Sequence, residues 1–383
     1  MTSGNYQSPW MNEEVRTLRK SVREFIQEQF VPQQARWRQQ RRPDAEAWMS
    51  AGATGLLLPD VPEAYGGGGG TFAHEAVVLE ELARAGVQFG AIIQSIVAHY
   101  ILAYGSEEQK RKWLPRMARG ELVGAIAMSE PGAGSDLQSI KASAYRDGDH
   151  YVVNGSKTFI TNAWYASLIC LAVKTDAKVA GAKGISLVIV ETKDLAGYQV
   201  GSSLDKVGMH AQDTCELFFN EVRIPASNLL GPAEGKGFFQ MMEQLPYERL
   251  AVGVSAVAMA EEAVAVTTKY AQERTAFGKA LFDFQNTRFK LAECKTEAHI
   301  GRVFLDNCIE RFIAGRLDEI TTAMAKYWLT DCQCRIVDEC VQLHGGYGYM
   351  AEYPIARMWT DSRVQRICAG PNEIMKELVA CSL

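Results

Sequence analysis

Four stretches of this sequence combine residues able to cradle an anion, stack on a ring or move a proton. Ala127-Met-Ser-Glu-Pro-Gly-Ala-Gly-Ser-Asp136 uses a proline and two glycines to fix a tight loop. Such a loop exposes backbone N–H groups and lets a flat or anionic ligand approach closely. A plain hairpin connection accounts for the same residues equally well. The loop is not GxGxxG after a strand, so a Rossmann dinucleotide site is not indicated. Arg274-Thr-Ala-Phe-Gly-Lys279, followed by Phe284-Gln285, sets a guanidinium beside aromatic rings. That pairing can hold a pyrophosphate or stack on a ring; read blandly, it is a helix end closed by glycine. Gln342-Leu-His-Gly-Gly-Tyr-Gly348 ends a helical run in closely spaced glycines, where His344 alone reads more simply as a core histidine. Pro246-Tyr-Glu-Arg249 suits a helix start, with Pro246 first and Glu248 in the first turn. A carboxylate there is ordinarily a solvated partner of the helix dipole. In an apolar cavity it would hold its proton more tightly and serve as a base.

The elements that must position these stretches fall into three zones. Residues 1–123 read as helical: Asn12-Glu-Glu-Val resembles a helix start, and Val15, Leu18, Val22, Phe25 and Ile26 recur at helical spacing. Further helices are expected over about 71–85 and 90–104 and from the Ser106 cap onward, with a glycine loop at 66–70. Residues 124–232 alternate β-branched and polar residues. Asp147-Gly148 and Asn154-Gly155 both lie between strand-like runs and predict two hairpin turns. Further strands are expected at 167–174, 184–191 and 215–223. No helical crossovers separate them, which favours an antiparallel barrel or sandwich. Residues 233–383 return to long helices over about 246–276, 284–314 and 317–344 and past Pro354, an up-down bundle. The expected fold class is α+β multidomain. A helical N-terminal domain (1–123) precedes an antiparallel β-barrel middle domain (124–232) and a C-terminal four-helix bundle (233–383).

Composition excludes several classes. Of 383 residues, 47% are hydrophobic and 22% charged, which rules out a largely disordered chain, a collagen or a coiled-coil rod. A net charge of −5 makes a poor default binder of nucleic-acid phosphates or anionic membranes. The longest apolar runs, Gly90–Gly105 and Leu250–Ala260, fall short of the roughly 20 residues a bilayer demands. The first ten residues lack the pattern of a signal peptide. Nine cysteines form no CxxC pair, and six histidines form no HxxH or HExxH. The expectation is a cytoplasmic protein with reduced thiols, no metal, no nucleic acid and no membrane span.

Taken together, the four stretches and the closing Gly370-Pro-Asn-Glu-Ile-Met-Lys-Glu377 resemble the acyl-CoA dehydrogenases across essentially the whole chain. The resemblance implies an FAD enzyme of fatty acid β-oxidation, a homotetramer built as a dimer of dimers, with each FAD shared between two subunits. It implies oxidation of an acyl-CoA to the trans-2-enoyl-CoA, with a glutamate removing the α-proton and the β-hydride passing to flavin N5. Electrons then pass to an electron-transferring flavoprotein. Carried onto this sequence, Ile126 to Ser135 would wrap the flavin, with Met128, Ser129 and Gly134 in the loop and Ser135 toward the substrate. Phe159 and Thr161 would cover the other side. Arg274, Phe277, Gln285, Gln342, Gly345 and Gly346 would bind the FAD of a second subunit, and Asn372 and Glu373 the adenylate end.

Many members carry the base in a Tyr-Glu-Gly-Thr segment near the C-terminus. Here that segment is Cys368-Ala369-Gly370-Pro371, without a carboxylate. In the long-chain and isovaleryl types the base lies early in the long bundle helix, and Pro246-Tyr-Glu-Arg-Leu250 matches that segment, which assigns the role to Glu248. The Ala369 N–H would polarise the thioester carbonyl; Gly370 and Arg249 would border the substrate. Phe89–Val97 would line the acyl tail, with Gly90 and Ala91 small and Ile92, Ile93 and Ile96 apolar, which suits a medium, long or methyl-branched chain. Two other readings stand beside this one: an oxidase passing electrons to O2, and a non-catalytic flavoprotein binding nucleic acid or a partner.

Overall fold

A computed structural model describes residues 6–179 and 181–383. Six helices open the chain: α1 (Glu13–Phe25), α2 (Gln34–Gln40), α3 (Ala45–Ala53), α4 (Phe72–Arg84), α5 (Ala91–Tyr104) and α6 (Glu107–Ala118). Their starts follow the local chemistry. The side chains of Asn12, Thr71 and Ser106 accept the first free N–H groups of α1, α4 and α6. Seven strands follow: β1 (Val123–Ala127), β2 (Ser143–Asp147), β3 (His150–Thr161), β4 (Ala166–Lys174), β5 (Ile185–Glu191), β6 (Tyr198–Ser203) and β7 (Thr214–Pro225). The last third holds α7 (Gly237–Glu273), a small hairpin β8 (Thr275–Ala276) and β9 (Lys279–Ala280), α8 (Gln285–Ile313), α9 (Glu319–His344), α10 (Pro354–Ser362) and α11 (Asn372–Ala380). The bundle therefore has three long helices, with the short α10 and α11 packed on α9.

The sheet runs β1-β4-β2-β3-β7-β6, with β5 on β4. Most pairs are antiparallel, but β1 lies parallel to β4, from Val123↔Ala166 to Ala127↔Leu171, which departs from a purely antiparallel barrel. A parallel pair needs a long crossover; the β2–β3 hairpin makes it here without a helix. Asp147-Gly148 leads into a two-residue turn, with Asp147 opposite His150. Asn154-Gly155 does not turn: β3 runs straight through it with a register shift. Gly155 has φ +142, and a Cβ there would lie 2.7 Å from the Ala142 Cα, so the glycine serves a bulge where the residue before β2 presses on β3.

β4 joins two cores because its side chains alternate. Ile169, Leu171 and Val173 enter the core inside the sheet. Leu168, Cys170 and Ala172 face the other way, into a core shared with the N-terminal helices and α7. α7 passes through that core with Tyr247, Leu250 and Val254, then enters a third core with Met259, Ala263 and Val264. It is also long and apolar enough to cross a bilayer by composition, unlike the shorter runs the sequence suggested, but 67% of that stretch is buried in the fold.

Candidate active site

Glu248 lies about three turns into α7, not in its first turn, because the helix begins at Gly237 and continues through Pro246. Pro246 has no N–H for the Met242 carbonyl, yet the flanking turns hold the helix across it. The solvated-dipole reading of Glu248 therefore fails. Its side chain is 8% exposed. Burial raises its pKa from 4.5 to about 7, against the Tyr100 hydrogen bond and the charge of Arg249, which favour the anion. The Tyr100 hydroxyl, from α5, donates to Glu248 Oε1 at 3.2 Å. Arg249 is buried beside it, with Nη1 3.5 Å from Glu319 and Nε without a partner among the described residues. The Glu248 charge also reaches the thiols of Cys170 on β4 and Cys368 before α11. The sheet and the C-terminal segment thus both lie within electrostatic reach of this carboxylate.

The loop after β1 is held from beneath and open above. Ile126 and Met128 are half-buried, and the Met128 carbonyl accepts from Lys157 Nζ at 2.9 Å. The Ser129 carbonyl accepts from the Thr158 N–H at 3.0 Å. Glu130 takes the Lys157 ammonium at 2.8 Å and the N–H groups of Lys141 and Ala142 at 2.6 and 3.0 Å. Burial works to raise the Glu130 pKa, but these donors overcome it and hold the carboxyl below its ordinary range. On the outer side, a Cβ on Gly134 would meet nothing within 4 Å, and Ser135 is exposed. Phe159 stands beside the loop at φ 60 with its ring 70% exposed, and Thr161 follows half-buried.

A second group gathers at the far end of α7. Arg274 closes that helix and lies 5.5 Å over the Tyr347 ring. The β8–β9 turn places Phe277 (φ 51) and Gly278 (φ 79) in the left-handed region and leaves Phe277 96% exposed. Gln285 opens α8, and Gln342, Gly345 and Gly346 close α9 with open space above both glycines. His344 is a core histidine: Nδ1 bonds the Cys340 carbonyl at 2.8 Å, the ring stacks on Tyr270 at 4.1 Å, and burial lowers its pKa. Near α11, Ala369 (φ 52) and Gly370 (φ 91) form a strained corner. The Gly370 carbonyl accepts from the buried Lys326 at 2.7 Å. Asn372 is fully occupied inside the chain, by Lys326 Nζ at 2.9 Å, Thr330 at 3.0 Å and Asp331 at 3.0 Å. Glu373 is exposed in the first turn of α11.

Family comparisons match three consecutive parts of the chain: the acyl-CoA dehydrogenase N-terminal domain over residues 12–121, the middle domain over 125–222 and the C-terminal domain over 235–383. The chain belongs to the acyl-CoA dehydrogenase family. It is 45% identical over 367 residues to the mitochondrial long-chain specific acyl-CoA dehydrogenase of Sus scrofa, covering 95% of this chain and 85% of that one. It is 33% identical over 376 residues to the mitochondrial isovaleryl-CoA dehydrogenase of Pongo abelii, covering 96% and 88%. The crystal structure of an acyl-CoA dehydrogenase from Geobacillus kaustophilus superposes with a TM-score of 0.96 at 46% identity, covering 98% of this chain and 99% of that one.

Acyl-CoA dehydrogenases are FAD-dependent oxidoreductases of acyl-CoA metabolism. The residues present fit that cofactor: an open glycine loop faces a bare aromatic ring, and the loop is fixed from below by a buried ion pair. Sequence reading missed that pair. Lys157 is 0% exposed on the inner face of a strand, and a lysine at an inward position of an alternating strand is itself a signal that a carboxylate must meet it. Lys326 and Tyr100 were missed too; both sit in apolar helical runs that read as core.

Proposed function

We propose that this acyl-CoA dehydrogenase oxidises medium- to long-chain or methyl-branched acyl-CoA thioesters to the trans-2-enoyl-CoA, with Glu248 as the base. The observation that carries this reading is a glutamate buried on α7 with its pKa raised to about 7, whose charge reaches Cys368 in the C-terminal corner where Ala369 supplies no carboxylate. Bound FAD supplies the two-electron acceptor for the β-hydride. Glu248 takes the α-proton onto its carboxylate. The apolar surroundings keep water away and match its proton affinity to neutral pH. The Ala369 N–H polarises the thioester carbonyl, held at a left-handed corner that Lys326 ties down through Gly370. Met128, Ser129, Gly134, Phe159 and Thr161 would hold the flavin, with Ser135, Arg249 and Gly370 bordering the substrate.

The tail reading rests on Ile92, Ile93 and Ile96 of α5 and on the long-chain relative at 45% identity. Gly90 takes no part in making room: a Cβ there would strike Asn162 Oδ1 at 1.8 Å, so its smallness serves the Asn162 contact. A second copy of the chain completes the site. Arg274 lies 26 residues beyond Glu248 on one helix, about 39 Å at 1.5 Å per residue, and its group would serve the FAD of a partner in a homotetramer. Electron-transferring flavoprotein is the proposed acceptor. Nine unpaired cysteines and the buried α7 support a reducing, aqueous compartment.

The test is anaerobic mixing of the FAD-loaded protein with straight and branched acyl-CoAs, followed by oxygen uptake without added acceptor. Flavin bleaching by long or branched chains, with slow oxygen uptake, is expected. No bleaching by any acyl-CoA contradicts the reading.

A further inference from the structure

Among the described residues, Glu248 receives a single side-chain hydrogen bond, from the hydroxyl of Tyr100 to Oε1 at 3.2 Å. Tyr100 is 0% exposed and stands on α5, the helix that carries the apolar tail-facing residues. Four elements contribute titratable groups that contact or reach the carboxylate. α7 gives Arg249, α5 gives Tyr100, β4 gives Cys170, and the segment before α11 gives Cys368. Arg249 is drawn partly toward Glu319, and Lys326 lies beyond, near Cys368 and Arg249. Burial pushes both thiols up, so they stay neutral at working pH. Tyr100 is thus the neutral donor that contacts the carboxylate, and Arg249 supplies charge without a hydrogen bond to it.

We propose that Tyr100 is a positioning residue for proton abstraction, fixing Oε1 so that Oε2 is the oxygen that takes the α-proton. The proposal rests on Glu248 being the base. The proton passes from the substrate α-carbon to Oε2. The C–H electron pair enters the new double bond as the β-hydride leaves to the oxidised cofactor. The hydroxyl proton stays on Tyr100 throughout, because burial and the nearby Glu248 charge hold that phenol well above its usual range. A donor on one oxygen does two things in an apolar site. It removes the rotational freedom of the carboxylate, and it stabilises the anion against burial. Losing it makes Glu248 harder to ionise and leaves the ionised carboxylate free to turn away from the α-proton.

Tyr100→Phe keeps the ring and removes the donor. The experiment follows the pH dependence of kcat/KM and kcat for the FAD-loaded enzyme with a long-chain acyl-CoA, with FAD content as the check on folding. The expected result is an acid limb moved up by about one pH unit, which cuts turnover about tenfold on the acid side, together with an alkaline plateau lowered severalfold as Oε1 is released and a KM changed by no more than about twofold. A merely structural role would lower turnover equally at all pH values and leave the limb in place, and that result overturns the proposal. If Tyr100→Phe fails to retain FAD, site-specific 3-fluorotyrosine at position 100 replaces it. This stronger donor of the same shape is expected to move the limb down, and an unmoved limb overturns the proposal. Glu248→Gln in the same assay separates the two claims. Retained turnover removes the base assignment and this proposal with it, whereas a dead Glu248→Gln beside an unmoved Tyr100→Phe limb overturns the role of Tyr100 alone.

Discussion

Folded Glu248 keeps its proton to about pH 7, while an exposed glutamate loses it near 4.5. Between those values the unfolded chain binds fewer protons than the native one, so stability falls as pH rises from 4.5 to 7. The difference is about 3 kcal/mol at 1.36 kcal/mol per pH unit. Glu248→Gln has no proton to lose. Its thermal stability relative to the parent is expected to improve from pH 5 to pH 8, read by denaturation at both values. An unchanged difference would show that Glu248 ionises freely. The resemblance suggested the site, because Pro246-Tyr-Glu-Arg-Leu250 and the absence of a carboxylate at 369 are both written in the sequence; residue type alone left Glu248 a solvated partner of the helix dipole. The donor on Glu248 was not legible. Tyr100 lies 148 positions away, and only packing brings it within 3.2 Å.

The elements hold the site through a few buried polar ties. Asn162, at φ 63 after β3, donates to the carbonyls of Gly90 and Gly124 at 3.0 and 3.2 Å, locking α5 to β1. Gly90→Ala is expected to cost about 1–3 kcal/mol through overpacking, seen as an earlier unfolding midpoint, with turnover reduced in whatever protein folds. Lys157→Met leaves Glu130 buried without its ammonium partner; about 3 kcal/mol is expected, together with weaker FAD binding in a cofactor titration as the loop above it loosens. Helix starts were readable because caps are local. Asn154-Gly155 was misread because a glycine that permits a turn also permits a bulge, and only the Ala142 backbone pressed against it decides between them. Pro246 was misread for a similar reason: proline favours the first turn, yet tertiary packing carries α7 on both sides of it.

At the scale of the whole molecule, Glu248 and Arg274 stand about 39 Å apart along α7 at 1.5 Å per residue. One chain brings Glu248, Tyr100 and Arg249 together, and leaves Arg274 and Phe277 beyond the far end of α7. Phe277 is nearly fully exposed, so Phe277→Ser should change the stability of an isolated subunit by no more than about 0.5 kcal/mol. If a second copy places that ring on the cofactor, FAD affinity is instead expected to fall about tenfold, measured by fluorescence titration alongside the sedimentation of the assembly. The three-zone order was legible because helical and strand periodicities differ; the distance between the two groups was not, since it depends on how far α7 runs on both sides of Pro246. The base assignment is tested most directly by stopped-flow mixing of anaerobic, FAD-loaded parent and Glu248→Gln proteins with the same acyl-CoA. Flavin bleaching in the parent and a rate at least about 1,000-fold lower in Glu248→Gln, at equal FAD content, is the predicted result. Bleaching in Glu248→Gln within tenfold of the parent would contradict it.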